Sequence, residues 1–103
     1  MIGALVGSAH IAAYNMSKAA DLSLVKSLAM EWGKHNIRDN AVAPGPIVPP
    51  PGMSAEEFAA VEQATPLGRW GGEAEIAKAI AFLCESDFVT GETIRVDGGR
   101  HVK

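Results

Sequence analysis

Tyr14 and Lys18 are the two side chains of the sequence whose types and spacing suggest acid/base chemistry. They lie four residues apart in the segment YNMSK. On an α-helix this spacing places a phenol and an ammonium on one face, one turn apart. The positive charge stabilises a phenolate, so Tyr14 could exchange a proton with a carbonyl oxygen or an alcohol. The donors of Lys18 could also bind ribose hydroxyls. The motif alone favours a simpler interpretation, because such pairs are common on exposed helix faces.

The other reactive side chains form no recognisable pattern. Cys84 is the single cysteine, so we predict a core residue in a reducing cytoplasm rather than a disulfide or a nucleophile. His10, His35 and His101 lack the spacing of metal ligands, and we predict no metal site. His10, upstream of Tyr14, is a candidate substrate contact.

A long helix is predicted for residues 12–34, because alanine, leucine and lysine dominate and no proline interrupts them. Gly33 is the predicted stop. Apolar residues lie on nearly every side of this helix, so it must be covered on more than one face. We expect a sheet on one side and another helix, from a second subunit, on the other.

A short strand is predicted for residues 37–43, ending at Pro44. The proline run 44–52 can be neither helix nor central strand, because proline lacks an N–H donor. Ser54 and Glu57 then form a capping box at the start of a short flap helix that reaches about Gln63.

The last third of the sequence predicts an amphipathic helix and a closing strand. Ile76, Ile80, Leu83 and Cys84 recur with helical spacing, and residues 93–96 alternate before an Asp-Gly-Gly stop. Helix, strand, helix, strand is the pattern of an α/β fold with parallel strands. Two strands do not make a stable parallel sheet, so the chain looks like half of a domain.

Composition bounds the remaining choices. The chain has 103 residues, enough for one small domain, and a formal net charge of −3. That charge gives no electrostatic reason to expect nucleic acid or an anionic membrane as a partner. No apolar run approaches the roughly 20 residues that cross a bilayer.

Five blocks in a fixed order resemble the short-chain dehydrogenase/reductase family. They are AAYNMSKAA at 12–20, IRDNAVAPG at 37–45, PLGRWG at 66–71, the helical segment 73–83, and FVTGETIRVDGG at 88–99. They are similar to the family's active-site helix, the following strand with its Pro-Gly turn, the PxxR turn, the next helix, and the closing strand. The proline run, together with the 65–70 turn, is similar to the corresponding segments of the pteridine reductase branch of the family.

The resemblance implies roles for five residues. Tyr14 would be the acid/base, and Lys18 would promote its ionisation and hold the nicotinamide ribose. Pro44, Gly45 and Ile47 would line the nicotinamide pocket of NADP or NAD, with NADP slightly favoured. The resemblance also implies a small-molecule substrate under the loop and flap, and a homodimer or homotetramer formed through the long helix and the last strand.

Four departures from the family pattern are visible. The family's Gly-rich phosphate turn, with its strand and helix, is absent from the sequence. In the family this turn leads into the helix N-terminus that binds pyrophosphate. Met1 stands thirteen residues before Tyr14, where the family has a serine, and Ser8 is at the wrong offset. Pro49 replaces a frequent threonine, and Asp39 replaces an apolar strand residue, which suggests a less deeply covered strand.

The favoured interpretation is therefore the carboxyl-terminal part of a Rossmann-like, doubly wound α/β domain. Residues 1–103 form one partial domain, with the active-site helix and strand in 1–45, the substrate loop and flap in 46–65, and the last helix and strand in 66–103. We expect a truncated product or a partial gene product with little activity alone. A non-catalytic fragment acting through packing contacts is the alternative. A proline-loop ligand for an SH3-type domain is a weaker one.

Overall fold

The computed structural model describes residues 12–102. The helices are α1 (Ala12–Trp32), α2 (Ala55–Ala64) and α3 (Glu73–Glu85), and the strands are β1 (Ala41–Pro44) and β2 (Thr93–Val96). Short 3-10 turns occupy Gly33–His35 and Arg100–Val102. None of the helices in this part of the chain is long and apolar enough to pass through a bilayer. The alternation of helix and strand agrees with the predicted α/β pattern.

The two strands lie parallel, with Ala41 opposite Thr93 and Pro44 opposite Val96. Side chains alternate between the two faces of a strand. Val42 shares a groove with Ile80 and Leu83 of α3, so α3 covers one face of the sheet. The opposite face of β2 meets α1. Within residues 12–102 the sheet has only these two strands, so each is paired on one side alone.

The core between these layers is small. Ala29 of α1 lies close to Gly91, where an added Cβ would be 3.4 Å from the Ala29 Cβ. The buried apolar side chains of the described residues are Leu22, Ala29, Ala43, Pro46 and Leu83. Much of the apolar surface of α1 and α3 is therefore left uncovered within residues 12–102.

The α-helix ends at Trp32, so the predicted stop at Gly33 is confirmed, and a 3-10 turn that was not predicted follows it. The helix tightens into the 3-10 turn, and Asn36 adopts the left-handed conformation with φ of 60°. The Asn36 N–H donates to the Gly33 carbonyl at 2.9 Å, and the Ile37 N–H donates to the Trp32 carbonyl at 3.2 Å. These two bonds form a Schellman motif, in which asparagine can take the place of glycine.

The predicted strand at 37–43 is shortened. Before residue 41 one backbone bond remains, from the Gly91 N–H to the Asp39 carbonyl at 2.7 Å, and side-chain bonds accompany it. The Asn40 amide donates to the Val89 carbonyl at 2.9 Å and accepts from the Glu92 N–H at 3.0 Å. The Asp39 N–H donates to the Thr90 hydroxyl at 3.0 Å. Asp39 itself is half-buried, as expected from a strand that is less deeply covered.

The capping box of α2 is confirmed. The Ser54 hydroxyl accepts from the Glu57 N–H at 3.1 Å, and the Glu57 carboxylate accepts from the Ser54 N–H at 3.2 Å. Phe58 on the first turns of this helix stacks on Trp70, with ring centroids 5.5 Å apart. The flap is therefore attached to the segment that precedes α3.

The predicted burial of Cys84 is wrong within the described chain. Leu83 is buried, but Cys84 is exposed at the end of α3. Arg38 extends along this end and donates to the Leu83 carbonyl at 2.6 Å and the Cys84 carbonyl at 3.3 Å. It satisfies two of the carbonyls that a helix end leaves unpaired. A polar side chain thus occupies the place where an apolar neighbour would cover the cysteine.

We expect Asn40→Ala to lower the free energy of unfolding by about 1–2 kcal/mol, because the Val89 carbonyl and the Glu92 N–H lose their partner. Urea unfolding followed by circular dichroism measures this change. Asn40→Asp is the matched control, because it keeps the acceptor for Glu92 and loses only the donor, and it should be destabilised less. Equal stability of all three proteins would contradict the bridging role of Asn40.

Candidate active site

Tyr14 and Lys18 lie on the same ridge of α1 as Leu22 and Lys26, since residues four apart on a helix stack above one another. Leu22 and Lys26 line a cleft with residues 91–95 at the start and middle of β2. Further along α1, Ala29 packs on Gly91. The helix thus runs antiparallel to β2, and its ridge continues past Leu22 toward the carboxyl ends of the strands. Tyr14 and Lys18 belong to that end of the sheet.

The two side chains also lie together. The Lys18 Nζ is 5.6 Å from the centroid of the Tyr14 ring, within the range of a cation–π contact. The Tyr14 side chain is half exposed and Lys18 is half-buried. The Ser17 hydroxyl donates to the Tyr14 carbonyl at 2.8 Å, which fixes the backbone beside the phenol. The pair is positioned as the spacing predicts, and its catalytic roles stay a prediction.

The Pro-Gly bend lies against the end of β2. The Gly45 N–H donates to the Val96 carbonyl at 2.9 Å and extends the strand pairing by one bond. A Cβ at Gly45 would be 2.5 Å from the Asp97 Cβ and 2.7 Å from its Cα, distances that real side chains do not adopt. Glycine is therefore required here for packing, whatever else the bend contacts.

Residues after the bend are held by the segment before α3. The Gly71 N–H donates to the Pro46 carbonyl at 2.9 Å, and the Gly72 N–H donates to the Ile47 carbonyl at 3.0 Å. The Ile47 side chain lies 3.1 Å from a hypothetical Cβ on Gly71. Sequence analysis identified the 66–71 turn as a family block and missed this attachment, because no sequence pattern pairs the two loops.

Asp97, which sequence analysis gave only the role of a stop, is the most deeply buried carboxylate of the described residues. Its oxygens accept from the Gly99 N–H at 3.0 Å and the His101 N–H at 3.1 Å, and the His101 Nδ1 lies 2.8 Å away. Burial by itself would raise the pKa of Asp97, but the His101 ring and these amides outweigh it and lower the pKa below its ordinary value. A histidine four residues after the aspartate of Asp-Gly-Gly was the available signal.

The end of the flap helix is attached to the same turn. Thr65 is buried, and its hydroxyl donates to the Val61 carbonyl at 2.7 Å. Gly98 has a φ of 64°, and a Cβ there would be 2.6 Å from the Thr65 methyl group. The Leu67 N–H donates to the Gly98 carbonyl at 3.0 Å. Strand β2, the flap and the Pro-Gly bend therefore meet at residues 97 and 98.

A cavity of about 110 Å³ lies beside this meeting point. The Arg69 guanidinium donates to the carbonyls of Trp70 and Gly71 at 3.0 and 3.1 Å and lies 4.0 Å from Glu75. The cavity is lined by Pro46, Ile47, Leu67, Arg69, Gly71, Glu75, Val96, Asp97 and Gly98.

The predicted site residues form two groups. Tyr14 and Lys18 make one, Pro44, Gly45 and Ile47 make the other, and both lie at the carboxyl end of the sheet. Within residues 12–102 no hydrogen bond or ion pair joins them. The same part of the chain holds no cluster of three or more His, Cys, Asp or Glu side chains that could bind a metal. The departures at Met1 and Ser8 and the candidate contact His10 lie outside the described residues.

Comparison with known proteins identifies the family. A family model described as enoyl-(acyl carrier protein) reductase matches residues 1–101. Glucose 1-dehydrogenase of Gluconobacter oxydans is 43% identical over 101 residues, covering 92% of this chain and 38% of that protein. A tropinone reductase homologue of Arabidopsis thaliana is 46% identical over 92 residues, covering 84% and 30%.

Solved structures agree with this assignment. 4-Hydroxyisoleucine dehydrogenase complexed with NADH superposes with a TM-score of 0.90 at 30% identity, covering 99% of this chain and 44% of that one. A short-chain dehydrogenase from Bacillus anthracis gives a TM-score of 0.86 at 37% identity, covering 97% and 41%. The chain belongs to the short-chain dehydrogenase/reductase family, as its motifs predicted, and it spans less than half the length of these relatives.

The close contact at the bend predicts that Gly45→Ala lowers the free energy of unfolding by about 1–3 kcal/mol, because the added methyl group overlaps Asp97. Gly33→Ala is the matched control, since nothing lies within 4 Å of its Cβ position. That variant should be unchanged or slightly more stable. Urea unfolding measures both, and a Gly45→Ala protein as stable as Gly33→Ala would show that the bend does not pack against β2.

The lowered pKa of Asp97 predicts a pH-dependent contribution to stability. Because the folded pKa lies below the unfolded one, about 3.9, the ionised carboxylate stabilises the fold above that unfolded value. The stabilisation is lost as the pH falls through the folded pKa. We therefore expect Asp97→Asn to be less stable than the unsubstituted chain at pH 7 and the difference to shrink as the pH falls below the unfolded pKa. Asp87→Asn, at an exposed position, is the control in the same urea titrations.

Proposed function

We propose that the chain carries the proton-transfer half of an NAD(P)-dependent oxidoreductase site, which interconverts a carbonyl or C=N group and its reduced form. The observation that supports this most directly is the position of the Tyr14–Lys18 pair. It lies at the carboxyl end of a parallel sheet, the end that also carries the Pro-Gly bend. Ligands of open α/β sheets bind at this end.

The residues present fit the nicotinamide end of such a cofactor. Lys18 would hold the ribose with its ammonium donors. Pro44, Gly45 and Ile47 would border the nicotinamide ring, and the hydrogen bonds of Pro46 and Ile47 to Gly71 and Gly72 hold this border rigid. When bound, the nicotinamide would supply or accept a hydride. The NADH complex of 4-hydroxyisoleucine dehydrogenase supports a nicotinamide dinucleotide, and of the two forms we favour NADP slightly.

Tyr14 would move the proton. Its hydroxyl would give a proton to the carbonyl oxygen during reduction, and the deprotonated oxygen would take the alcohol proton during oxidation. The Lys18 ammonium lies 5.6 Å from the ring centroid, so a cation stands beside the phenol that would exchange the proton. Half exposure of Tyr14 leaves its hydroxyl open to a substrate at the end of the sheet. Proton transfer of this kind contributes roughly 10²- to 10⁴-fold to the rate.

The printed names of the relatives indicate small substrates that undergo reduction or dehydrogenation, among them glucose, tropinone-related compounds and enoyl groups. Those names describe the relatives. In this chain the loop after Gly45 and the flap helix α2 would cover a small substrate. The similarity of this loop to the pteridine reductase branch stays a prediction.

We further propose a homodimer or homotetramer built on α1 and the unpaired edge of β2. Met16 is 71% exposed, Leu24 53% and Met30 85%, an apolar surface that favours contact with another chain. The same surface favours the alternative in which the chain is a non-catalytic fragment that acts through packing alone. Nucleotide binding separates the two functions.

Titration of the chain with NADPH, followed by nucleotide fluorescence, tests the proposal, with NADPH oxidation by a ketone as the activity assay. Tyr14→Phe should lower kcat at least about 100-fold without changing the unfolding curve, because only the hydroxyl is lost. Lys18→Met should lower kcat and weaken nucleotide binding as well.

Lys26→Met is the matched control, since Lys26 lies on the same ridge of α1 two turns farther from the end of the sheet. It should leave nucleotide binding and kcat unchanged. Normal turnover by Tyr14→Phe would refute the assigned roles. A chain that binds no NADPH at all would support the non-catalytic alternative.

A further inference from the structure

We propose that the site selects compact apolar carbonyl compounds and discriminates against anionic and polyhydroxylated ones. This inference deepens the proposed function and rests on it. It is carried by residues 44–53, here called the proline loop, and by the flap helix α2 that follows.

The proline loop begins at the end of β1, where Gly45 is the first residue beyond the strand. Ligands of parallel sheets bind outside the carboxyl ends of the strands. The ridge of α1 brings Tyr14 and Lys18 to the same end. On the proposed function, a molecule bound at Tyr14 would meet the chain that leaves β1.

The loop is poor in hydrogen-bond donors. Half of its ten residues are prolines, which have no N–H: Pro44, Pro46, Pro49, Pro50 and Pro51. The Gly45 N–H donates to the Val96 carbonyl, and the Met53 N–H donates to the Pro50 carbonyl at 3.4 Å. The loop contains no polar side chain, and the hydroxyl of Ser54 just beyond it is used by the capping box. Of the loop N–H groups, those of Ile47, Val48 and Gly52 have no acceptor among the described residues, so a polyhydroxylated substrate buried against this wall would regain few of the hydrogen bonds that it loses to water.

The charges along the proline loop and the flap helix α2 disfavour the binding of anionic substrates. No Lys, Arg or His lies between Arg38 and Arg69, whereas α2 carries Glu56, Glu57 and Glu62. The Arg69 guanidinium is engaged by the carbonyls of Trp70 and Gly71 and lies near Glu75. A phosphate or carboxylate on the substrate would lie near this acidic helix. Within residues 12–102 the cation that lies beside Tyr14 is Lys18, which the proposed function assigns to the ribose.

Apolar side chains are left exposed around the same loop. Val48 is 54% exposed, Phe58 37% and Leu67 71%. Phe58 is fixed by its stacking on Trp70, and Trp70 precedes the glycine that bonds to Pro46. These side chains form an apolar surface that a substrate could contact. The part of this surface on the flap helix is attached to the proline loop through Trp70 and Gly71. A substrate with an apolar body and a single carbonyl group matches it.

Ligand-observed saturation-transfer NMR on the full chain tests the inference without requiring turnover. The probes are 2-decalone, glucose and acetoacetyl-CoA. We expect the Kd of 2-decalone to be at least about tenfold lower than the other two values, since an apolar pocket discriminates by factors of this order or more. Glucose or acetoacetyl-CoA binding as tightly as the ketone, or no binding of the ketone, would overturn it.

Val48→Arg locates the binding surface, because it places a cation on the proline loop. It should lower the Kd of acetoacetyl-CoA at least about threefold by charge complementarity. Ala81→Arg adds the same charge to an exposed position on α3, near the amino ends of the strands, and should leave that Kd unchanged. Equal effects of the two variants would show that the loop does not contact the ligand. Ketone binding with no NADPH binding would refute the redox function and leave the ligand class intact.

Discussion

The close approach of Gly45 to Asp97 is the constraint on which the rest of the site depends. The backbone of β1 bends immediately after Pro44, and it can pass the end of β2 only because residue 45 has no side chain. The hydrogen bond from Gly45 to Val96 holds the bend at that distance. A larger residue would separate the two strand ends and shift every residue that the bend positions.

Asp97 connects this contact to the surrounding loops. Its carboxylate is buried and bonded to Gly99 and His101, so the turn after β2 is stiff. Gly98 in the same turn touches Thr65 at the end of the flap helix. The Pro-Gly bend, the flap and the carboxyl-terminal turn therefore form one unit, in which local bonds replace the large core that a complete α/β domain would provide.

Errors in the sequence predictions occurred where a side chain replaced a backbone pattern. Asn36 takes the left-handed conformation that closes the 3-10 turn after α1, a turn that the sequence did not predict. Asn40 bonds to the 89–92 segment through its amide and delays the start of β1. Cys84 is exposed because Arg38 lies along the end of α3, and helical periodicity carries no information about which neighbour covers a given position.

The sequence alone determined the order of helices and strands, the capping box at Ser54, the Tyr14–Lys18 spacing and the family. Each of these depends on residues close together in the chain or on short motifs in a fixed order. Only the tertiary structure decided that Gly45 packs on Asp97, that Pro46 and Ile47 bond to Gly71 and Gly72, and that His101 holds the buried carboxylate in a firm turn. Most of these contacts join segments about 25 to 50 residues apart, and even the nearer pair, Asp97 and His101, depends on the burial that the fold imposes.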